Sequence, residues 1–327
     1  MFLVPPSHVL AVKRLGPFAL IAFFLLSGAY SAFGQSAPGY QAPSKSPVKE
    51  ESSLTKAARG QAPLARLYAH LKPDAAKTKR LPALSRRLKR SKSEKLLQVG
   101  VVRRLSSALN PLTDSARYSV AEGEVRVAAV RSEGARYLRV LFKDFSLPEG
   151  ARVFVYSKSD TDAYAGPYEG RGLGDNGTFW TPAIRGDEVV IEYLSPAGKQ
   201  ANEVPFTVSE IAHIYKDQFT PDVAGACNLE VTAPWANAAK SVGMLQFITG
   251  GLVAQCTGTL LTDSNTNIDH HVLTANHCIS SQSEAQSTQI YWNYNSGDDP
   301  PPGTPSSFGA NLMLTGTASD FTLLRFG

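Results

Sequence analysis

From Val120 onward the apolar side chains of this chain fall at every second position in short runs. EVRVAAVR (124–131), ARYLRVLFKDF (135–145), ARVFVYS (151–157) and DEVVIEYLS (187–195) alternate apolar with polar residues or form brief β-branched stretches. Turn signals separate them at Ser132-Glu-Gly, Pro148-Glu-Gly and Asp175-Asn-Gly. Period two places one face of each run in a core and the other outside, which is the pattern of an all-β fold. Over residues 105–216 it predicts an antiparallel β-sandwich of the jelly-roll kind. Tyr164, Tyr168, Phe179 and Trp180 read as core of that sandwich rather than as a ligand groove, and Asn176-Gly-Thr reads as a tight turn although it fits a glycosylation sequon. A second set of strand-like runs follows within 217–327: MLQFITG, VAQCTGTLLT, HHVLTANHC, TQIYWNY and DFTLLRF. This is a second all-β unit.

The chain has 327 residues with 43% hydrophobic and 19% charged side chains, which excludes a wholly disordered or fibrous protein. Its net charge of +5 is unevenly spread. Residues 45–104 carry 17 Lys and Arg against 4 Asp and Glu, whereas residues 217–327 carry 2 against 9. A nucleic-acid surface on the acidic last third is therefore electrostatically unfavourable, and no nucleic-acid partner is expected. Residues 35–104, rich in Lys, Arg, Pro, Ser and Ala, read as a basic spacer, with a short helix at Pro63–Lys72 where Leu64, Leu67, Tyr68 and Leu71 recur at helical spacing. The spacer reading competes with attachment to acidic polymers or a protease-sensitive hinge. Residues 1–34 read as a secretory signal: Lys13 and Arg14 precede the apolar run Leu15–Leu26, and small residues follow as far as Ala32-Phe33-Gly34. The expected product is secreted, extracellular or periplasmic, with no membrane association once the signal is cut.

Export puts Cys227, Cys256 and Cys278 in an oxidising compartment. The turn-rich stretch Asp263–Asn267 folds CTGTLLT back on HHVLTA about Thr266, so Cys256 and Cys278 become approximate cross-strand neighbours. A disulfide between them is expected, stabilising by about 3 kcal/mol from loop-closure entropy. It adjoins His277. A base must be held in one orientation, and Asp320, at the head of the strand Phe321–Leu324, is placed to bind the imidazole Nδ1–H as a partly buried carboxylate. His270 and His271 begin a strand and lack paired acidic or thiolate ligands, and thiols oxidise after export, so a Cys256/His271/His277/Cys278 metal site is not favoured. No metal or other cofactor is expected.

Cys256-Thr-Gly-Thr-Leu-Leu, Leu273-Thr-Ala-Asn-His-Cys278 and Ser319-Asp-Phe-Thr-Leu-Leu324 resemble the first half of a trypsin-like, chymotrypsin-fold serine peptidase. Cys227-Asn-Leu-Glu-Val and Ile290-Tyr-Trp-Asn-Tyr294 narrow the resemblance to the secreted bacterial lysyl endopeptidases. The resemblance implies peptide-bond hydrolysis on a protein or peptide substrate, with His277 as general base and Asp320 as its orienting acid. It also implies that the preceding sandwich is a propeptide that partners its own catalytic domain. Asn276 stands where the family has Ala, and Ala233 and Asp298-Asp299 stand where a second disulfide would be expected. The early cysteine that matches Cys227 bridges in the family to the second barrel, which leaves Cys227 unpaired here. No Gly-Asp-Ser-Gly-Gly block occurs in the sequence, and Ser264, Ser280, Ser281, Ser283, Ser306, Ser307 and Ser319 all lie in polar loops without a Gly-rich elbow. The expectation is the prepro region and first β-barrel half of such an enzyme, lacking the nucleophile serine and inactive by itself. Processing is expected between Lys216 and Gly225, at Lys216 if cleavage follows lysine. The alternative is a non-catalytic secreted binding protein that uses the sandwich and carries a relic half-domain.

Overall fold

The computed structural model describes residues 56–57, 59–85, 96–198, 203–216, 231–262, 270–292 and 306–326. The signal segment and Cys227 lie outside the described residues. Within them the chain is all-β, as its period-two patterning requires. The sandwich strands are β1 (Lys79–Leu81), β2 (Leu97–Leu109), β3 (Ala116–Val120), β4 (Gly123–Ser132), β5 (Tyr137–Lys143), β6 (Arg152–Ser157), β7 (Tyr164–Tyr168), β8 (Phe179–Trp180), β9 (Ile184–Arg185), β10 (Glu188–Pro196) and β11 (Thr207–Ile214). One sheet runs β1-β4-β10-β6-β7 with β3 on β4; facing it, β2, β11 and β5 lie side by side, with β8 and β9 on β5. All of these pairs are antiparallel except β1 with β4.

Between the two sheets lie Leu138, Val140, Phe142, Val153, Val155, Val189, Ile191, Val208 and Ile211, all buried. Phe142 meets Phe206 edge to face at 5.1 Å and Phe145 at 5.3 Å, geometries in which the positive ring edge meets the negative face. Tyr168 and Phe179 are buried in this core, whereas Tyr164 and Trp180, also read as core, are only partly buried and pack against other clusters.

The basic spacer is shorter than expected. Residues 64–71 lie across the outer face of the first sheet, where Leu64 and Leu71 pack on Val125, Val127, Phe154 and Val190, and Lys79–Leu81 add to that sheet as β1. The short helix exists as one 3-10 turn, Leu64–Arg66. Its first two N–H groups donate to the buried carboxylate of Glu192, Leu64 at 2.5 Å and Ala65 at 3.2 Å. β2 begins at Leu97, inside the region read as spacer. Its Arg103 and Arg104 disguised the strand: Arg104 is exposed, whereas Arg103 reaches the Ser132 hydroxyl of β4 in the facing sheet.

The second unit is built from β12 (Val242–Thr249), β13 (Leu252–Leu260), β14 (His270–Thr274), β15 (Gln289–Trp292), β16 (Ser306–Phe308), β17 (Ala310–Gly316) and β18 (Phe321–Phe326). β15, β12, β13, β14, β18 and β17 pair in that order, and β16, one residue before β17, pairs back onto β15. The chain turns between β16 and β17 at Gly309, whose φ of 62° is left-handed. The strands thus close into a barrel around Leu245, Phe247, Val272, Ile290, Leu324 and Phe326.

The two units share one sheet. β2 pairs with β11 along one edge and with β13 along the other, through Leu252↔Val101, Val253↔Gly100, Ala254↔Gln98 and Gln255↔Leu97. At Gly100 a Cβ would come within 2.5 Å of the His213 carbonyl oxygen, so the strand fits between its neighbours only without a side chain there. Val99, Ala212 and Ile214 of the sandwich and Met244, Val253 and Tyr291 of the barrel form a common buried cluster. Arg139 crosses the same boundary. It is 2% exposed and donates from Nε to the Thr181 carbonyl and from Nη2 to the Ser287 carbonyl of the barrel unit, each at 2.7 Å. Burial lowers its pKa to about 10, so it remains charged at neutral pH.

A second tie holds the loop after β14. Ser281 caps the short helix Gln282–Gln286 by accepting from Glu284 N–H, and Glu284 accepts in return from Ser281 N–H. Glu284 also accepts from Thr249 Oγ1 at 2.5 Å and from Ser280 N–H at 2.8 Å. Burial alone would push its carboxyl up, but these donors together hold it below the ordinary value.

Two outcomes follow. Arg139→Ala leaves two buried carbonyls without their donor and is expected to cost about 2–4 kcal/mol, read as a lower urea midpoint; an unchanged midpoint would show that the shared boundary does not depend on this side chain. Because the folded pKa of Glu284 is depressed, its stabilisation is present above the unfolded value and lost as pH falls through the folded one. Melting temperatures of wild type and Glu284→Gln should therefore differ near neutrality and converge in acid.

Candidate active site

The site lies where two hairpins of the barrel meet. In the first, β13 and β14 pair as Thr259↔Leu273 and Leu260↔Val272, a register symmetric about residue 266, as the sequence suggests. Beyond β14 the chain makes a tight turn in which the N–H groups of Cys278 and Ile279 both donate to the Ala275 carbonyl. Cys256 and Cys278 are joined by a disulfide with Cα atoms 6.3 Å apart, within the range such a bond accepts. His277 sits in the turn next to that bond. Thr274 Oγ1 also donates to the Thr257 carbonyl at 2.9 Å, fixing the end of β14 against β13.

The second hairpin pairs β17 with β18 as Thr315↔Thr322 and Gly316↔Phe321. Asp320 is the last residue of its turn, with φ at 47°, a left-handed conformation that Asp tolerates better than most side chains. The turn closes with Asp320 N–H donating to the Thr317 carbonyl. Strand β18 then alternates, with Thr322, Leu324 and Phe326 buried. Asp320 therefore stands at the rim of the barrel with its carboxylate turned toward β14.

His277 and Asp320 meet at two points. His277 Nδ1 lies 2.7 Å from Asp320 Oδ2, and the His277 backbone N–H donates to Asp320 Oδ1 at 2.9 Å. An ionised carboxylate only accepts, so the ring proton belongs on Nδ1 and Nε2 carries the lone pair. The backbone bond fixes the carboxylate plane and the side-chain bond fixes the ring, which is the arrangement a general base requires. The side chains are 39% and 52% exposed, so Asp320 is more open to water than the partly buried carboxylate that its place at the strand start suggested.

Other candidate residues fall elsewhere. His270 and His271 open β14 and face Phe326 and Arg325 across the strands. Side-chain atoms of Cys256, His277 and Cys278 lie within 4.8 Å of one another, but the two sulfurs bond each other and offer no thiolate to a metal. Ser280, Ser281 and Ser283 are engaged around the helix cap. Lys216 follows β11, its N–H donating to the Val99 carbonyl at 3.2 Å. Asn276 was visible in the sequence only as a departure beside the histidine; in the fold its side chain donates to Thr315 at 2.7 Å. Thr315 and Thr322 carry no motif, and only the hairpin register brings them to this place. No helix among the described residues is long and apolar enough to cross a membrane.

Comparison with known proteins places both parts of the chain in one family. The family model for the lysyl endopeptidase N-terminal domain matches residues 70–215, and that for the lysyl endopeptidase C-terminal domain matches residues 221–327. A lysyl endopeptidase of Pseudomonas aeruginosa is 29% identical over an alignment of 144 residues that covers 38% of this chain. The alignment spans 30% of that relative's length. With the two domains matched in order over about three-quarters of its residues, the chain belongs to the lysyl endopeptidase family.

Proposed function

We propose that the chain is the precursor region and first barrel of a secreted serine endopeptidase that hydrolyses peptide bonds, with preference for the bond after lysine. The observation that carries this reading is the two-point contact of His277 with Asp320, at 2.7 Å and 2.9 Å. His277 Nε2 would take the proton of an attacking serine hydroxyl and return it to the leaving amine, while Asp320 holds the tautomer and stabilises the imidazolium that forms between the two steps. The nucleophile and the donors that stabilise the oxyanion would come from a second barrel, since no Gly-Asp-Ser-Gly-Gly block is present in these residues.

In this reading the sandwich is a propeptide that associates with the catalytic unit through the β2–β13 pairing and the Arg139 bonds. The matched family domains end at 215 and begin at 221, bracketing Lys216 and supporting its candidacy as the processing position. The signal segment at 1–34 would direct export, and the substrate would be protein or peptide.

Two experiments test this. In the complete secreted protein, His277→Ala and Asp320→Asn should each lower kcat/KM on a lysyl peptide by about 10⁴-fold, the latter through the wrong ring tautomer, while the isolated 327 residues show no turnover; retention of activity in His277→Ala would remove His277 from the reaction. N-terminal sequencing of the secreted product should give Asp217, and Lys216→Gln should accumulate uncut precursor. A mature start elsewhere would eliminate Lys216 as the processing position.

A further inference from the structure

His277 and Asp320 are half-exposed, and a hydrogen bond open to water competes poorly with solvent for orientation. The two bonds between them therefore gain from whatever holds the two segments together. A chain of polar side chains links the same two segments. Asn276 Nδ2 donates to Thr315 Oγ1 at 2.7 Å, Thr315 Oγ1 lies 2.6 Å from Thr322 Oγ1, and Thr322 Oγ1 donates to the Ile279 carbonyl at 2.6 Å. Thr322 is fully buried.

The direction of this chain follows from counting protons. A hydroxyl has one proton to give. A carbonyl only accepts, so the Thr322 proton is committed to Ile279 and its oxygen must accept from Thr315. Thr315, having given its proton toward Thr322 with a longer contact to the Phe321 carbonyl at 3.2 Å, accepts from the Asn276 amide. The bonds run one way, from Asn276 through Thr315 and Thr322 to Ile279. They begin on the residue before His277 and end on the residue after Cys278. The two threonines are also the cross-strand pair at the base of the hairpin that bears Asp320.

We infer that Asn276, Thr315 and Thr322 are positioning residues that lock the histidine-bearing turn to the aspartate-bearing hairpin and thereby set the ring orientation and tautomer of His277. The catalytic meaning of this circuit rests on the peptidase reading, whereas the coupling itself does not. Asn276 starts this circuit because its amide can donate: a carboxylate in its place would draw the Thr315 proton to itself and strip Thr322 of its donor.

The test uses the 327-residue protein labelled with ¹⁵N-histidine, in which long-range ¹H–¹⁵N spectra at alkaline pH, where the ring is neutral, report the tautomer of His277. Wild type should be protonated mainly on Nδ1, and Asp320→Asn, as the control, should shift the ring toward Nε2–H. Asn276→Ala and Thr315→Val should each raise the Nε2–H share at least about threefold, and Thr315→Ser, which keeps the hydroxyl, should restore the wild-type ratio. Thermal melts run in parallel. If Asn276→Ala and Thr315→Val lower the melting temperature yet leave the tautomer ratio at its wild-type value, the three residues serve stability alone and the inference is overturned; should Thr315→Val fail to fold, Asn276→Ala decides. Failure of the peptidase reading would show itself differently, as full activity in His277→Ala of the complete protein, with the tautomer result untouched.

Discussion

Backbone hydrogen bonding along both edges of β2 is the constraint on which the rest of this structure depends. A strand carries its unpaired N–H and C=O groups in the plane of the sheet, and burying them without partners is costly. β2 resolves this by pairing with β11 on one side and β13 on the other, so that one sheet of the sandwich continues into the barrel unit. Everything else at the boundary serves that pairing. Gly100 lets the three strands close up, Val99, Ile214, Met244 and Tyr291 remove water from one face, and the Arg139 guanidinium satisfies a carbonyl on each side.

Within the barrel, the relative position of His277 and Asp320 is a problem in joining two hairpins. Each hairpin is well determined by itself, the first by its register and the Cys256–Cys278 bond, the second by the Thr315↔Thr322 pair. They are joined by the β14–β18 pairing from His270↔Phe326 to Thr274↔Thr322, and beyond its end the side-chain contacts between them are polar. Asp320 contributes both of its oxygens, one to the ring and one to the backbone of His277. The left-handed backbone at Asp320 turns the carboxylate back toward β14 instead of out along the strand. A residue with a branched β-carbon would not adopt that conformation without strain.

What the sequence displayed and what it hid divide along physical lines. Strands dense in apolar residues, such as DEVVIEYLS and DFTLLRF, were legible because apolar patterning is a local property. The disulfide and the His277–Asp320 pairing were legible because a single hairpin centre and a short strand order place them. β2 was hidden because Arg103, Arg104, Ser106 and Ser107 dilute its apolar residues, and its burial is decided by two partner strands distant in sequence. Residues 59–85 were hidden for a similar reason: the carboxylate that anchors Leu64 and Ala65 belongs to Glu192, far along the chain. The circuit through Thr315 and Thr322 depends on which side chains face each other across a bulged hairpin, and no residue-level pattern announces it.

The same shared sheet sets an order of events during folding. The β12–β13 hairpin closes over a two-residue connection, from Thr249 to Leu252, and costs little loop entropy. Val101 and Leu252, in contrast, are about 150 residues apart, and a pairing of that separation is reached late, after the intervening chain has already been drawn together. β11, which flanks β2 on its other edge, lies between them in sequence, so the sandwich completes its own sheet before the barrel strand has anything to join. In a chain that emerges N-terminus first, the sandwich strands precede those of the barrel, and the free edge of β2 is the surface available to β13.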